Sequence, residues 1–374
     1  MSLYPFEFLC PFEFDCSQLV PPAGTIDHTM TDSPSQPHAI RFGVIGTGRI
    51  TRRLVADLQS TDGVSVTAIA SRSQERADWF ASQYGIPAGI EGYERLLARR
   101  DVDAVYLSLP PSMHAEWCVR AAEAGKQILC EKPLATSAEQ ARSIADACDR
   151  CGVRWLDATG WLHHKRTKEM RALAVDGRLG RVGHISVSVS FYRPFQSGEH
   201  RLDPNLGGGC LLDLGWYTTG LACHFAGRLP IRVFADSIQE NGVPIRCNGM
   251  LWFGEDLTAS FSCGYDTATR KWFEVAGSDA SIICDDFTRP WAERPTRYWI
   301  HDASGNVEAN ESTDRQEQRL IETLVGDQPL DSWNTLALQT QAVLDALADS
   351  DRQKQPVAVP PLDSSLPLHR SHTA

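Results

Sequence analysis

The sequence has no run approaching the ~18 apolar residues that a membrane-crossing helix needs. Residues 1–38 hold no basic segment followed by an apolar stretch, and no twin-arginine pair precedes the first apolar run, so no secretion signal is read. No long lysine or arginine block occurs, and a net charge of −11 would repel a polyanion, which argues against nucleic acid as a partner. The eleven cysteines form no paired CxxC pattern. Cys148-Asp-Arg-Cys151 stands alone at the close of a helical stretch, without histidines at metal-ligand spacing, so no metal site is expected. An odd cysteine count in a chain this long does not describe a disulfide scaffold and fits a reducing cytoplasm. No internal repeat is present.

What is there points to two domains, since 374 residues exceed the ~250–300 at which one core stops growing. Residues 1–38 are rich in Pro, Ser, Asp and Thr and read as a mobile tail, with Met30 opening a second conventional start that leaves residues 1–29 open as an over-called beginning. From residue 39 to 160 short apolar runs alternate with helical periods. The runs are Ile40–Ile45, Val64–Ala70, Ala104–Leu109, Gln127–Cys130 and Val153–Leu156. Ile50, Leu54, Val55 and Leu58 make one helical face, Thr136 and Glu139 form a capping box, and Gly85, Gly125 and Gly152 stand where helices end. Such alternation predicts a parallel sheet wound on both faces. Residues 161–357 read differently: a helix over Lys168–Val175, a strand over His184–Tyr192, a glycine cluster with a helix, then six β-rich runs from Ile231 to Ile300 joined by short turns. A helix over Trp333–Ala348 follows, and residues 358–374 look loose. The fold class is therefore α/β: a doubly wound parallel-sheet domain plus an α+β domain with a large open, mainly antiparallel sheet, whose second face a subunit interface would cover.

Gly46-Thr47-Gly48-Arg49-Ile50-Thr51 follows the first run directly and opens the first helix. The first glycine permits a tight turn, the second a close approach of backbone to pyrophosphate, and the helix N-terminus offers N–H groups to it. Thr51 stands where a third small residue is expected. The second strand ends in Ala70-Ser71-Arg72-Ser73 rather than in an acidic residue that would grip a ribose 2′-hydroxyl. Ser71 and Arg72 suit a 2′-phosphate, so NADP is the expected cofactor and NAD the second choice. Glu131-Lys132-Pro133 sits just past the fifth strand, at the edge where open α/β sheets bind ligands. A cationic nicotinamide beside Lys132 would lower its pKa, whereas a salt bridge with Glu131 is the plainer alternative. Further on, Gly207-Gly208-Gly209 would let a bulky ligand near the backbone, and a helix from Gly209 would put Asp213 and Tyr217 on one face.

With GVIGTGRI, LSLPPSMH (Leu107 to His114), EKP and GGGCLLDLGWY in that order, residues 41–357 resemble the Gfo/Idh/MocA oxidoreductase family. Tyr217, where many inositol-dehydrogenase-like members carry His, resembles the branch of glucose–fructose oxidoreductase, xylose dehydrogenase and dimeric dihydrodiol dehydrogenase, which mostly uses NADP. The resemblance implies a Rossmann domain, a homodimer or homotetramer through the second sheet, and hydride transfer at an alcohol carbon of a sugar or polyol. It implies that Leu109, Pro110, His114, Glu131 and Lys132 join Gly46 to Ile50, Ser71 and Arg72 around the cofactor. It places Trp161 and His163 in a segment lining the substrate pocket, although Leu162 and Lys165 stand where the family commonly has Arg and Pro. The catalytic expectation is that Tyr217 takes the hydroxyl proton, aided by Lys132, while Asp213 orients the substrate or Lys132. Lys132 is the alternative base. Three rival readings remain: a nucleotide-retaining shuttle between two sugars, a non-catalytic nucleotide-dependent regulator, and a dehydrogenase of a non-sugar diol.

Overall fold

The computed structural model describes residues 39–361 apart from 193, 196–197, 291–294, 306 and 310–313; the expected N-terminal tail, and residues 362–374 of the C-terminal one, lie outside the described residues. The first half is a chain of β–α units: β1 (Ile40–Ile45), α1 (Thr51–Gln59), β2 (Val64–Ser71), α2 (Gln74–Tyr84), β3 (Ala88–Glu91), α3 (Tyr93–Leu97), β4 (Ala104–Leu107), α4 (His114–Glu123), β5 (Gln127–Cys130), α5 (Ala138–Cys151) and β6 (Trp155–Asp157). The six strands pair in parallel in the order β3-β2-β1-β4-β5-β6. The order reverses between β1 and β4, and a crevice opens there at the carboxyl ends of the strands. Leu54, Val55 and Leu58 of α1 are buried as their spacing requires, but Ile50 is 43% exposed because it precedes the helix at the mouth of that crevice. Gly85 and Gly152 cap α2 and α5 in the left-handed conformation, and Gly125 has positive φ just past α4. The expected capping box is shifted by one residue: the Ser137 hydroxyl accepts from Gln140 N, and Thr136 instead bonds the Gln140 side chain.

The second half holds α6 (Lys165–Val175), β7 (Val182–Ser190), α7 (Cys210–Asp213), α8 (Gly215–Ala226), β8 (Arg232–Glu240), β9 (Val243–Trp252), β10 (Thr258–Gly264), β11 (Arg270–Gly277), β12 (Ala280–Cys284), β13 (Trp299–Asp302), β14 (Val307–Ala309), α9 (Gln316–Val325), α10 (Asp331–Gln353) and β15 (Val357–Ala358). Nine strands form one sheet in the order β14-β13-β12-β11-β7-β10-β9-β8-β15, antiparallel except where β7 runs parallel to β10. One face is apolar, with Ile185, Val187, Ala259, Phe261, Phe273 and Val275 buried, and α8 and α10 pack on that side. Strand alternation sends His184, Ser186, Ser188, Ser260 and Ser262 to the other face. The long α10 also touches α5 and β6, and α9 packs against α1, so helices from the second half lock onto the first sheet. Among the described residues no helix is long and apolar enough to cross a membrane, and nine cysteines are free thiols.

Candidate active site

A cavity of about 960 Å³ opens at the carboxyl edge of the first sheet, between it and the second. The β1–α1 turn forms one wall. Gly46 has φ +102°, and a Cβ there would lie 2.3 Å from the Ser108 carbonyl oxygen, so no other residue fits the turn. Gly48, Arg49 and Ile50 line the cavity, and no side chain caps the N-terminus of α1, whose first N–H groups are left for a ligand. Thr51 is buried with its hydroxyl 2.9 Å from Ser108 Oγ, bracing the helix on β4 in the role of the third small residue. Thr47 does not line the cavity. Arg76 holds it, donating to Thr47 Oγ1 at 2.6 Å and to its carbonyl at 2.9 Å. Nothing local in the sequence marks Arg76 for this; the contact spans 29 residues. Ser71 is buried at the end of β2 and Arg72 beside it is exposed, both outside the cavity lining.

A further part of the lining comes from the chain just past β4 and β5. Leu109, Pro110, Glu131, Lys132 and Pro133 all line the cavity. His114 does not: it is fully buried, with its ring nitrogens 2.8 Å from the Pro133 carbonyl and 2.9 Å from that of Leu109, and it braces these two segments from behind. The Glu131–Lys132 salt bridge does not form. Glu131 accepts from the Tyr106 hydroxyl at 2.7 Å and from Lys132 N at 3.2 Å, and burial raises its pKa. Lys132 Nζ instead donates to Asp213 Oδ1 at 2.6 Å and lies 4.6 Å from the centre of the Tyr217 ring. Burial pulls the ammonium pKa down, but the Asp213 carboxylate and Tyr217 outweigh it, so among this chain's own groups the balance runs upward. Burial likewise lifts the Tyr217 hydroxyl, with Lys132 offsetting only part.

Asp213 and Tyr217 do not share one continuous helix. The chain breaks at Leu214 between α7 and α8, and the two residues meet through Lys132. Two groups unmarked by the sequence complete the cluster: Arg201 Nε donates to Asp213 Oδ2 at 2.8 Å, and the Tyr265 hydroxyl donates to the same oxygen at 3.1 Å. Burial opposes ionisation of Asp213, yet the two cations hold its carboxyl well below the usual range. The three glycines serve the chain's own backbone rather than a ligand. A Cβ on Gly208 would lie 2.7–2.9 Å from the carbonyl oxygens of Asp203, Arg201 and His200, one on Gly207 would strike Pro111 and Thr136, and one on Gly209 would strike Pro244. The segment carrying Arg201 is folded onto this motif, with Gly209 N donating to the Arg201 carbonyl at 2.8 Å.

Trp161 and His163 are core residues, which corrects their expected place in the pocket. Trp161 is 1% exposed and packs edge-on against His224 and Phe287. His163 lies 3.1 Å from Thr323 Oγ1 and against Trp333, and burial pushes its pKa down to about 3, so it stays neutral. Gly160 is the member of that segment that reaches the cavity. His164, its neighbour, accepts from Arg166 N, so the two histidines point into separate contacts.

Residues 40–157 match the profile described as the oxidoreductase family with an NAD-binding Rossmann fold, and residues 167–283 match its GFO/IDH/MocA C-terminal domain. The chain belongs to the Gfo/Idh/MocA oxidoreductase family. It is similar to a D-xylose 1-dehydrogenase (NADP(+)) of Haloferax volcanii, 35% identical over 64% of this chain and 74% of the other. It is also similar to a dTDP-3,4-didehydro-2,6-dideoxy-α-D-glucose 3-reductase of Actinomadura kijaniata, 33% identical over 71% and 80% of the two chains. A crystal structure of a 3-ketoreductase from Actinomadura kijaniata with NADP and TDP-benzene superposes with TM-score 0.75 at 29% identity, covering 83% of this chain and 97% of that one. The Gfo/Idh/MocA membership accounts for both sheets and for the crevice between them.

Proposed function

We propose that this chain is an NADP-dependent oxidoreductase that interconverts an alcohol and a carbonyl on a sugar or polyol. The observation that carries the reading is the Lys132 ammonium, fixed on the cavity wall between the Asp213 carboxylate and the face of Tyr217, in the cavity that Gly48, Arg49 and Ile50 also line. The turn fits a dinucleotide, because Gly48, Arg49 and Ile50 line the cavity and the first N–H groups of α1 have no side-chain cap. Gly46, Gly48 and the start of α1 would hold the pyrophosphate, while Leu109, Pro110 and Glu131 flank the nicotinamide end. When bound, NADP supplies the nicotinamide carbon that takes up or returns a hydride. Lys132 and Tyr217 meet the substrate oxygen as proton-bearing groups, which suits stabilising the charge that develops on a carbonyl oxygen during reduction. In oxidation Tyr217 takes the hydroxyl proton only by passing its own onward. Asp213, with every oxygen engaged, fixes Lys132 and is not itself a base. NADP-dependence in the xylose dehydrogenase and bound NADP in the 3-ketoreductase support the cofactor choice.

The test is a titration of the purified protein with NADP and NAD, followed by nicotinamide absorbance with a panel of aldoses and polyols. Tighter binding of NADP and its reduction by a sugar are expected; binding of neither dinucleotide would overturn the reading. The 2′-phosphate assignment is checked by Ser71→Asp combined with Arg72→Ala. Losing a charge-assisted pair worth about 1.5–3 kcal/mol should weaken NADP roughly 10–100-fold and leave NAD no weaker. An equal loss for both nucleotides would remove Ser71 and Arg72 from the site.

A further inference from the structure

If the site runs this reaction, the substrate proton needs a destination, and the cavity around Lys132 leaves few. Each carboxylate there already holds donors. Asp213 takes Lys132 on one oxygen, and Arg201 and Tyr265 on the other. Glu131 takes Tyr106 and Lys132 N. Glu199 takes Arg201 Nη1 at 2.9 Å. Lys132 and Tyr217 are held in their protonated forms.

His200 faces the same cavity and differs from all of these. Its Nδ1 lies 2.9 Å from Glu199 Oε1, and its side chain is 41% exposed. The contact is a charge proximity rather than a directed hydrogen bond, and the ring nitrogens stay free to exchange a proton. Among the described residues no hydrogen-bond partner reaches Nε2. The triple-glycine motif holds the backbone that carries this ring, since Gly208 packs directly against the carbonyls of His200, Arg201 and Asp203. A sequential chain of contacts then runs His200–Glu199–Arg201–Asp213–Lys132.

We propose that His200, set beside Glu199 in the cavity, is the acid/base group that exchanges the substrate's proton with water. This rests on the oxidoreductase reading above. In oxidation the substrate loses its carbinol hydrogen as hydride to NADP⁺ and its hydroxyl hydrogen as a proton. The proton passes to the Tyr217 oxygen as the Tyr217 hydrogen leaves, through water in the shared cavity, for the His200 imidazole, and the imidazolium releases it to bulk water. Products are the carbonyl, NADPH and one proton. Reduction runs the same path backwards, with imidazolium as the donor. The charge environment supports a neutral imidazole near pH 7. Burial lowers its pKa, Arg201 and Lys132 lower it further, and Glu199 and Asp213 offset part. His114 is the other titratable group that feels it.

The test compares native protein with His200→Asn and Glu199→Gln, using NADP and the aldose that the panel shows to be oxidised fastest. Oxidation by native protein should fall as pH drops through the His200 pKa, because the base is then protonated. His200→Asn should lose this acid limb and roughly 10²-fold of kcat/KM at pH 7, recovering part of it in imidazole buffer. NADP affinity and Tm should hold, which separates the role from a structural one. A second readout needs no turnover: in NADP-free protein, the ¹³Cε1 resonance that vanishes in His200→Asn should titrate below the ordinary histidine value of about 6.5, and Glu199→Gln should move it lower still. An unchanged acid limb with kcat/KM within about twofold of native would overturn the proposal and leave the dehydrogenase reading standing. Failure of native protein to turn over any sugar would overturn both. A resonance that ignores Glu199→Gln would overturn the dyad.

Discussion

Lys132→Met is expected to cut kcat by roughly 10²–10⁴-fold while the protein still folds and binds NADP. Methionine has similar length and flexibility and fills the space of the lysine stem, so packing against Tyr217 is retained. What disappears is the ammonium. Asp213 keeps Arg201 and Tyr265 on its second oxygen, so the carboxylate stays anchored and the fold loses little. The phenol of Tyr217 then has no cation above its ring, and its pKa, already lifted by burial, rises further. Both the charge that would steady a developing alkoxide and the help given to proton transfer are removed together. The glycine turn is untouched, so NADP affinity should stay within about fivefold, about 1 kcal/mol. Stopped-flow absorbance under single-turnover conditions separates the two effects. Turnover within tenfold of native would sink the assignment of Lys132. Lys132→Arg makes a useful companion, because a planar fork cannot place one donor on Asp213 Oδ1 as a compact ammonium does, and it should rescue poorly.

Reading the sequence locates this site because the motifs that build it are local. The GxG turn, the EKP end of β5 and the Asp213–Tyr217 pair each lie within a dozen residues, where turn and helix geometry constrain one another. The same reasoning misses whatever depends on chain returning from afar. Tyr265 reaches Asp213 across 52 residues and Arg76 reaches Thr47 across 29, and no spacing rule connects either pair. Gly207–Gly209 invites a ligand on paper, yet the space its missing Cβ atoms leave is taken by carbonyls and prolines of this chain. Trp161 and His163 have pocket chemistry by type, but their partners His224, Phe287 and Trp333 draw them into the core. Among elements, β3 escapes notice because it is four residues long with a glycine at its centre. A Cβ on Gly89 would lie 2.5 Å from Asp78, so α2 packs too tightly for the β-branched residue that would have marked a strand. Helix α9 carries a helical apolar spacing in Leu320, Ile321 and Leu324, but Arg315 gives it no side-chain cap to announce its start.

The largest stability effect expected anywhere in the chain falls at Arg166. This residue, on α6, is 2% exposed, and its guanidinium meets the equally buried Asp286 carboxylate at 2.5 Å. The same Nη1 also donates to the Arg297 carbonyl at 2.9 Å. Two charges out of water gain little net stability from each other, but removing one leaves the other desolvated without its counterion, at a cost of about 3–5 kcal/mol. Arg166→Met should therefore lower Tm by on the order of 5–10 °C. Lys271, whose own pKa feels Asp286, stands close enough to hold the loss to the lower part of that range. The double variant Arg166→Met with Asp286→Leu removes both charges and should recover most of the stability, so a double-mutant cycle should return a coupling of at least about 1 kcal/mol. Near-zero coupling, with the single variant as stable as native, would show that the pair holds nothing together. The consequence reaches the reaction site. Asp286 sits between β12 and Thr288 and Arg289, which line the cavity, and Arg289 provides the carbonyl that Lys271 Nζ grips at 2.9 Å. Loosening this segment should raise KM for the sugar while kcat, set around Lys132, changes less.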